Sequence, residues 1–118
     1  MDDTGKRLKI LSKNEIQELY GLPNFTYEER INYFSLNLLE KKELDELRSV
    51  RSKIYFILQL GYFKAKKMFF TFNYQEVIED IVYLLQQYFP NENELEDIDI
   101  LKPTRLTQQN IILKLLYL

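Results

Sequence analysis

Cysteine and histidine are both missing from the sequence. Without cysteine the chain has no disulfide framework, no thiolate nucleophile and no zinc–thiolate site. Without histidine it lacks the commonest general base and the commonest transition-metal ligand. An enzyme built on this chain would depend on carboxylates, lysine, tyrosine or serine alone. We therefore expect a non-catalytic chain with no metal site and no cofactor.

Glycine and proline are scarce, with three of each, so the chain can form few tight turns. This scarcity argues against a multi-stranded sandwich or barrel. Long hydrophobic runs are missing as well, because the longest, residues 54–63, is interrupted by Gln59 and Gly61 and is far shorter than a membrane span. The acidic N-terminus does not resemble a signal peptide. These features predict a soluble, cytoplasmic protein without membrane contact.

The 118 residues are enough for one domain, or for one domain and a fragment of the next. Since 46% of them are hydrophobic, the chain can build a core. Capping boxes predict where its helices begin: a Ser, Thr or Asn and a Glu three residues later bond the free N–H groups of a first turn. The pattern occurs at Ser12 with Glu15, Thr26 with Glu29, and Asn73 with Glu76.

A segment that is apolar on nearly every face runs from Ser49 to about Lys67, and a helix of this kind is central and buried. Because glycine costs about 1 kcal/mol in a helix interior, Gly61 indicates the close approach of a neighbouring helix. A last helix follows Thr104 and ends without a cap, so we expect an N-terminal piece of a longer protein. The predicted fold is all-α, a compact bundle of about five to six helices. We expect a helical subdomain over residues 1–90, then an acidic linker and the start of a following helical segment over residues 91–118.

The net charge of −2 is the sum of two opposite patches. Residues 41–67 carry eight basic and three acidic side chains, whereas residues 91–99 carry five acidic side chains and no basic one. The basic stretch is either a solvated face or a surface for nucleic acid. On the second interpretation Lys41, Lys42 and Arg48 supply supporting positive charge.

The positions of Arg51 and Lys53 favour the nucleic-acid interpretation, because both residues fall in the first turn of the predicted central helix. Cations there are unfavourable by about 0.3–1 kcal/mol each, since the helix dipole is positive at its N-terminus. The free N–H groups of the same turn bind anions, so a phosphate would turn this cost into a contact. Arg51 and Lys53 are therefore the candidate phosphate ligands.

The polar start of the last helix is a second candidate. Arg and Gln side chains hydrogen-bond base edges in the major groove, and Thr reaches phosphates. Arg105, Gln108 and Gln109 are thus candidates for base readout beside Thr104. Ordinary capping by Thr104 with a solvated first turn is an equal alternative.

Several short motifs follow one another in a characteristic order. The chain opens with ILS..E...L.GLP at residues 10–23, continues with F.LQLGYF at residues 56–63 and later has a Thr-Arg pair at residues 104 and 105. Together they resemble the N-terminal region of the Tn-three family of replicative transposases, over nearly the whole chain from Ile10. By position, the polar stretch that precedes the apolar helix in the family corresponds to Arg48, Arg51, Ser52 and Lys53. The later Thr-Arg pair of the family corresponds to Thr104 and Arg105. Where members often continue with basic residues and a histidine, this chain has Leu106 and Gln108.

The resemblance implies an all-helical DNA-binding region of a bacterial mobile element, with the strand-transfer carboxylates in a separate C-terminal domain. The expected function is recognition of double-stranded DNA at the terminal inverted repeats of a transposon, and thus association with the nucleoid. The alternative is a helical interaction or assembly module, with self-association through the last helix.

Overall fold

In the computed structural model, residues 10–92 and 95–117 are described, and they form six α-helices without a β-strand. In chain order these are α1 (Lys13–Tyr20), α2 (Tyr27–Tyr33), α3 (Leu38–Asp45), α4 (Val50–Lys66), α5 (Ile78–Tyr88) and α6 (Lys102–Tyr117). A 3₁₀ turn, Gln75–Val77, leads into α5. The prediction of an all-α bundle of about five to six helices is confirmed. Among the described residues no helix combines the length and the apolar character that crossing a membrane requires.

Reciprocal capping boxes begin the helices where the sequence predicts them. At α1 the Glu15 N–H donates to Ser12 Oγ at 3.1 Å, and the Ser12 N–H donates to Glu15 Oε1 at 2.9 Å. The same pair of bonds joins Thr26 to Glu29 before α2, and Asn73 to Glu76 before the 3₁₀ turn.

Helix α3 has a further capping box at its start, and α6 starts earlier than predicted. A fourth capping box, Asn37 with Glu40, begins α3 and has the same spacing as the other three. Helix α6 begins at Lys102, two residues before Thr104, because Pro103 suits a first turn, where its missing N–H costs no hydrogen bond. Thr104 therefore does not cap α6 but lies within its first turn.

Helix α4 is the central helix, as predicted, and it contacts α2, α3, α5 and α6. Residues 54–63 are all buried, since the neighbouring helices cover an apolar helix on every face. A Cβ atom built on Gly61 would lie 2.4 Å from Cε1 of the Phe34 ring, next to the end of α2. The close approach predicted from this glycine is confirmed.

Residues 95–117 pack on the same core as the rest of the bundle. Ile98 and Ile112 are fully buried and belong to one apolar cluster with the side chains of α4. Helix α6 contacts both α3 and α4. Described residues on both sides of the boundary expected at residue 90 thus contribute to one apolar core.

Two buried ionic groups tie neighbouring helices to α4. Asp80 accepts hydrogen bonds from Arg30 Nε, at 2.7 Å, and from the Tyr62 hydroxyl. Burial, together with the adjacent Asp80 carboxylate, raises the pKa of the Tyr62 hydroxyl. On the other side of α4, Lys64 Nζ lies 3.0 Å from Glu40 Oε2. Both groups are well satisfied, because each buried side-chain N or O atom of the described residues has a hydrogen-bond partner.

Candidate nucleic-acid interface

The two groups of predicted DNA contacts, about fifty residues apart in sequence, meet where α4 crosses α6. Nε2 of Gln108, on α6, donates to the Ser52 carbonyl at 3.2 Å and to Ser52 Oγ at 3.0 Å. Ser52 lies in the first turn of α4, whose cap is Ser49. The beginnings of α4 and α6 are therefore neighbours.

A cleft of about 430 Å³ opens between these two helix starts. One side is lined by Glu46, Leu47, Arg48, Ser49 and Ser52, and the other by residues 99–101 with Thr104. Arg48 and Thr104 are exposed. The cleft thus brings three of the sequence-predicted residues, Arg48, Ser52 and Thr104, to one place.

Arg51 lies in the first turn of α4, which contains no acidic residue. Its side chain is 48% exposed, and Nε lies 3.3 Å from Oδ1 of Asp97. Its NH1 group also donates to the Asp99 carbonyl at 3.4 Å. The guanidinium group that the sequence offers to a phosphate is therefore paired with a carboxylate of the acidic segment.

Arg105 is half-buried at the start of α6, where its side chain interacts with the Tyr55 hydroxyl of α4. Burial raises the pKa of this hydroxyl, the positive charge of Arg105 opposes the shift, and the negative charge of Asp99 adds to it. Arg51, Arg105 and Asp99 thus belong to one mixed-charge group beside the cleft.

Gln108 and Gln109 are not placed as the sequence predicts for base readout. Gln108 is 1% exposed, and its Oε1 accepts a hydrogen bond from Gln59 Nε2 at 2.8 Å. Gln109 is half-buried and donates to Gln59 Oε1 at 3.4 Å. In this arrangement the Gln108 amide is inside the α4–α6 contact, so it is withdrawn from the set of candidate DNA contacts. Gln59 is absent from the predicted set, although a lone amide in an apolar helix needs a buried partner.

Lys41, Lys42 and Lys53 complete the predicted set but do not line the cleft. Lys41 and Lys42 are exposed on α3 beside Asp45 and Glu46, and Lys53 is half-buried in the first turn of α4. Their charges contribute to the potential around the interface without a shared contact.

Acidic side chains do not form a metal site in the part of the chain that the structure describes, where no group of three or more possible ligands is found. The acidic stretch at residues 91–99 includes Glu94, which lies outside the described residues.

The family described as a domain of unknown function (DUF4158) matches residues 10–118. The matched range contains all six helices and both sides of the cleft. No curated protein and no solved structure matches the chain.

Proposed function

The chain belongs to the DUF4158 family, and we propose that it is a DNA-binding module. The observation that carries this proposal is the cleft between the starts of α4 and α6, lined by Arg48, Ser52 and Thr104. Residues singled out separately, in two distant segments, are brought together there by the fold. The motifs at residues 10–23 and 56–63 favour a place for this module in the N-terminal part of a replicative transposase that recognises terminal inverted repeats.

Phosphate contacts are the first role that we assign to this surface. Arg48 is exposed at the cleft, and Arg51 stands beside it at the positive end of the α4 dipole. Thr104, exposed in the first turn of α6, adds a hydroxyl that can donate to a phosphate oxygen. Such contacts hold a duplex in place, whereas reading of its sequence depends on base edges.

Base readout falls to the start of α6, because a helix that presents polar side chains at its N-terminal end can enter a major groove. With Gln108 buried, Arg105 is the candidate that remains closest to the cleft, and its guanidinium matches the two acceptors of guanine. The catalytic carboxylates of such a transposase would lie in another domain. A chain bound in this way would be found on the nucleoid.

A protein-interaction module is the second candidate, and a separate surface favours it. Leu39, Ile111 and Leu115 line a groove between α3 and α6. Leu38 and Leu39 are 87% and 66% exposed. Adjacent exposed leucines beside an apolar groove are typical of surfaces that bind another protein.

Fluorescence anisotropy of a labelled mixed-sequence duplex tests the proposal. Affinity should fall steeply with salt between about 50 and 200 mM, because phosphate contacts release counterions. Arg48→Gln should weaken binding, and the slope of log K against log salt should become shallower by about 0.9 for the lost contact. Selection from a pool of random duplexes would then identify the preferred sequence.

Lys13→Gln is the matched control, since it removes one exposed positive charge on α1. Helix α1 lies near the other end of α4, where Lys66 Nζ donates to the Glu18 carbonyl. The rise along α4 places that end about 22 Å from Arg51. Equal losses in both variants would mean attraction by overall charge alone. If no duplex binds at low salt while the chain self-associates, the interaction module is the correct assignment.

A further inference from the structure

The acidic strap, residues 95–101, crosses the start of α4 and contacts the surface to which we assign DNA. Its carboxylates alternate with an apolar residue: Asp97 and Asp99 flank Ile98, which is fully buried. The residues on either side of it are less buried, since Asp97 is partly exposed and Asp99 is exposed. The burial of Ile98 therefore holds two carboxylates on the outer side, at the basic end of α4.

The strap meets the basic side chain of Arg51 through the carboxylate of Asp97 and through the backbone carbonyl of Asp99. Asp97 Oδ1 lies 3.3 Å from Arg51 Nε. Asp99 acts on the same Tyr55 hydroxyl as Arg105 does, and its carbonyl accepts from Arg51. The Asp99 N–H donates to Asp97 Oδ1 at 3.2 Å, which helps to fix the Asp97 side chain.

We propose that the acidic strap is an autoinhibitory contact in which Asp97 takes the position of a DNA phosphate on Arg51. This inference rests on the proposed function. A phosphate that binds Arg51 must first displace the Asp97 carboxylate, so the strap weakens binding to any polyanion that makes few other contacts.

The exchange is feasible because the pair is at the surface. The side chains of Arg51 and Asp97 are 48% and 45% exposed, and exposed ion pairs contribute little to stability. Only the Arg51 side chain has to rotate, while Ile98 keeps the strap anchored in the core. Asp97 is thus a competitor that can be displaced without unfolding the bundle.

Asp97→Asn is the variant that tests the strap, and Glu96→Gln is its matched control. Both remove one negative charge from the same segment, but Glu96 is exposed and has no ion pair among the described residues. We expect Asp97→Asn to raise the affinity for the labelled duplex about two- to five-fold at low salt, the scale of an exposed ion pair. Glu96→Gln should change the affinity for the duplex by clearly less. In an Arg51→Gln background the gain from Asp97→Asn should disappear.

The outcomes separate the two proposals. If the unmodified chain binds duplex but Asp97→Asn gains no more than Glu96→Gln, the strap proposal is wrong and the DNA-binding function stands. If neither the unmodified chain nor Asp97→Asn binds duplex at low salt, while circular dichroism shows both to be folded, both proposals are wrong. A gain from Asp97→Asn that persists without Arg51 would likewise overturn the assigned contact.

Discussion

A single methyl group at Gly61 tests how closely α2 approaches α4. In an exposed helix, replacing glycine by alanine stabilises a protein by about 1 kcal/mol. At Gly61 the added Cβ would lie 2.4 and 2.5 Å from two ring carbons of Phe34 and 3.2 Å from the Tyr33 carbonyl oxygen. Distances below 3 Å require a neighbouring atom to move, so the sign of the effect depends on whether Phe34 can do so.

Phe34 has little freedom to move. It is fully buried, and its ring packs edge-on against Phe25 and Tyr62 with centroid distances of 5.4 and 5.9 Å. Its carbonyl also accepts a hydrogen bond from the Tyr88 hydroxyl at 2.6 Å. Overpacking of a well-packed core costs about 1–3 kcal/mol. After subtraction of the gain in helix propensity, we expect Gly61→Ala to lower the free energy of unfolding by up to about 2 kcal/mol.

Urea unfolding followed by circular dichroism measures this change. Phe34→Leu should make room for the new methyl group, so Gly61→Ala should cost less in that background, with a coupling of at least about 0.5 kcal/mol. Gly21→Ala is the control, because the atoms nearest to its Cβ belong to the flexible end of the Gln17 side chain. A rise in stability for Gly61→Ala would refute the close contact between the two helices.

Three further predictions concern the buried polar groups. Gln108→Ala should destabilise the chain by about 1–3 kcal/mol, because it leaves Nε2 of Gln59 buried without its acceptor. Urea unfolding should show a smaller loss for the double variant Gln59→Leu/Gln108→Leu, and equal losses would contradict the pairing. Glu40→Ala should cost about 3 kcal/mol, since Lys64, only 23% exposed, loses its carboxylate partner and keeps only the Ser35 carbonyl. Glu40→Gln, which keeps the capping oxygen, should cost less in the same assay. Above about pH 10 the stability should fall by up to about 1.4 kcal/mol per pH unit for Tyr62. Folding raises the pKa of Tyr62, so the unfolded chain releases that proton at a lower pH than the folded chain does. In Tyr62→Phe the free energy of unfolding should therefore fall less steeply as the pH rises, which urea unfolding curves at a series of pH values would show.

Local features of the fold could be predicted from the sequence because they depend on residues close together in the chain. A capping box needs only two residues three positions apart, and Gly61 stands out within an apolar helix. The start of α6 was predicted too late because Thr104 offered a cap, although Pro103 suited a first turn equally well.

The arrangement at the candidate interface could not be predicted in the same way, because it depends on contacts between distant segments. The polar composition of residues 104–110 indicated a recognition surface, but the partner that buries Gln108 is Gln59 on another helix. Likewise, the charge pattern indicates both a basic and an acidic stretch, but it does not show that Asp97 forms an ion pair with Arg51. In both cases the missing information was which helix faces which.

The buried amides of Gln59 and Gln108 fix the axial position of α6 along α4. A slide of one helical turn would move Gln108 by about 5.4 Å and would leave both amides and Ser52 without partners, at about 1–3 kcal/mol for each unpaired group. Apolar side chains alone would tolerate such a shift far better, since their contacts have no fixed direction. The spacing between Arg48 and Thr104 across the cleft is therefore set before any ligand arrives. A ligand that matches this spacing binds without the entropy cost of ordering the two helices.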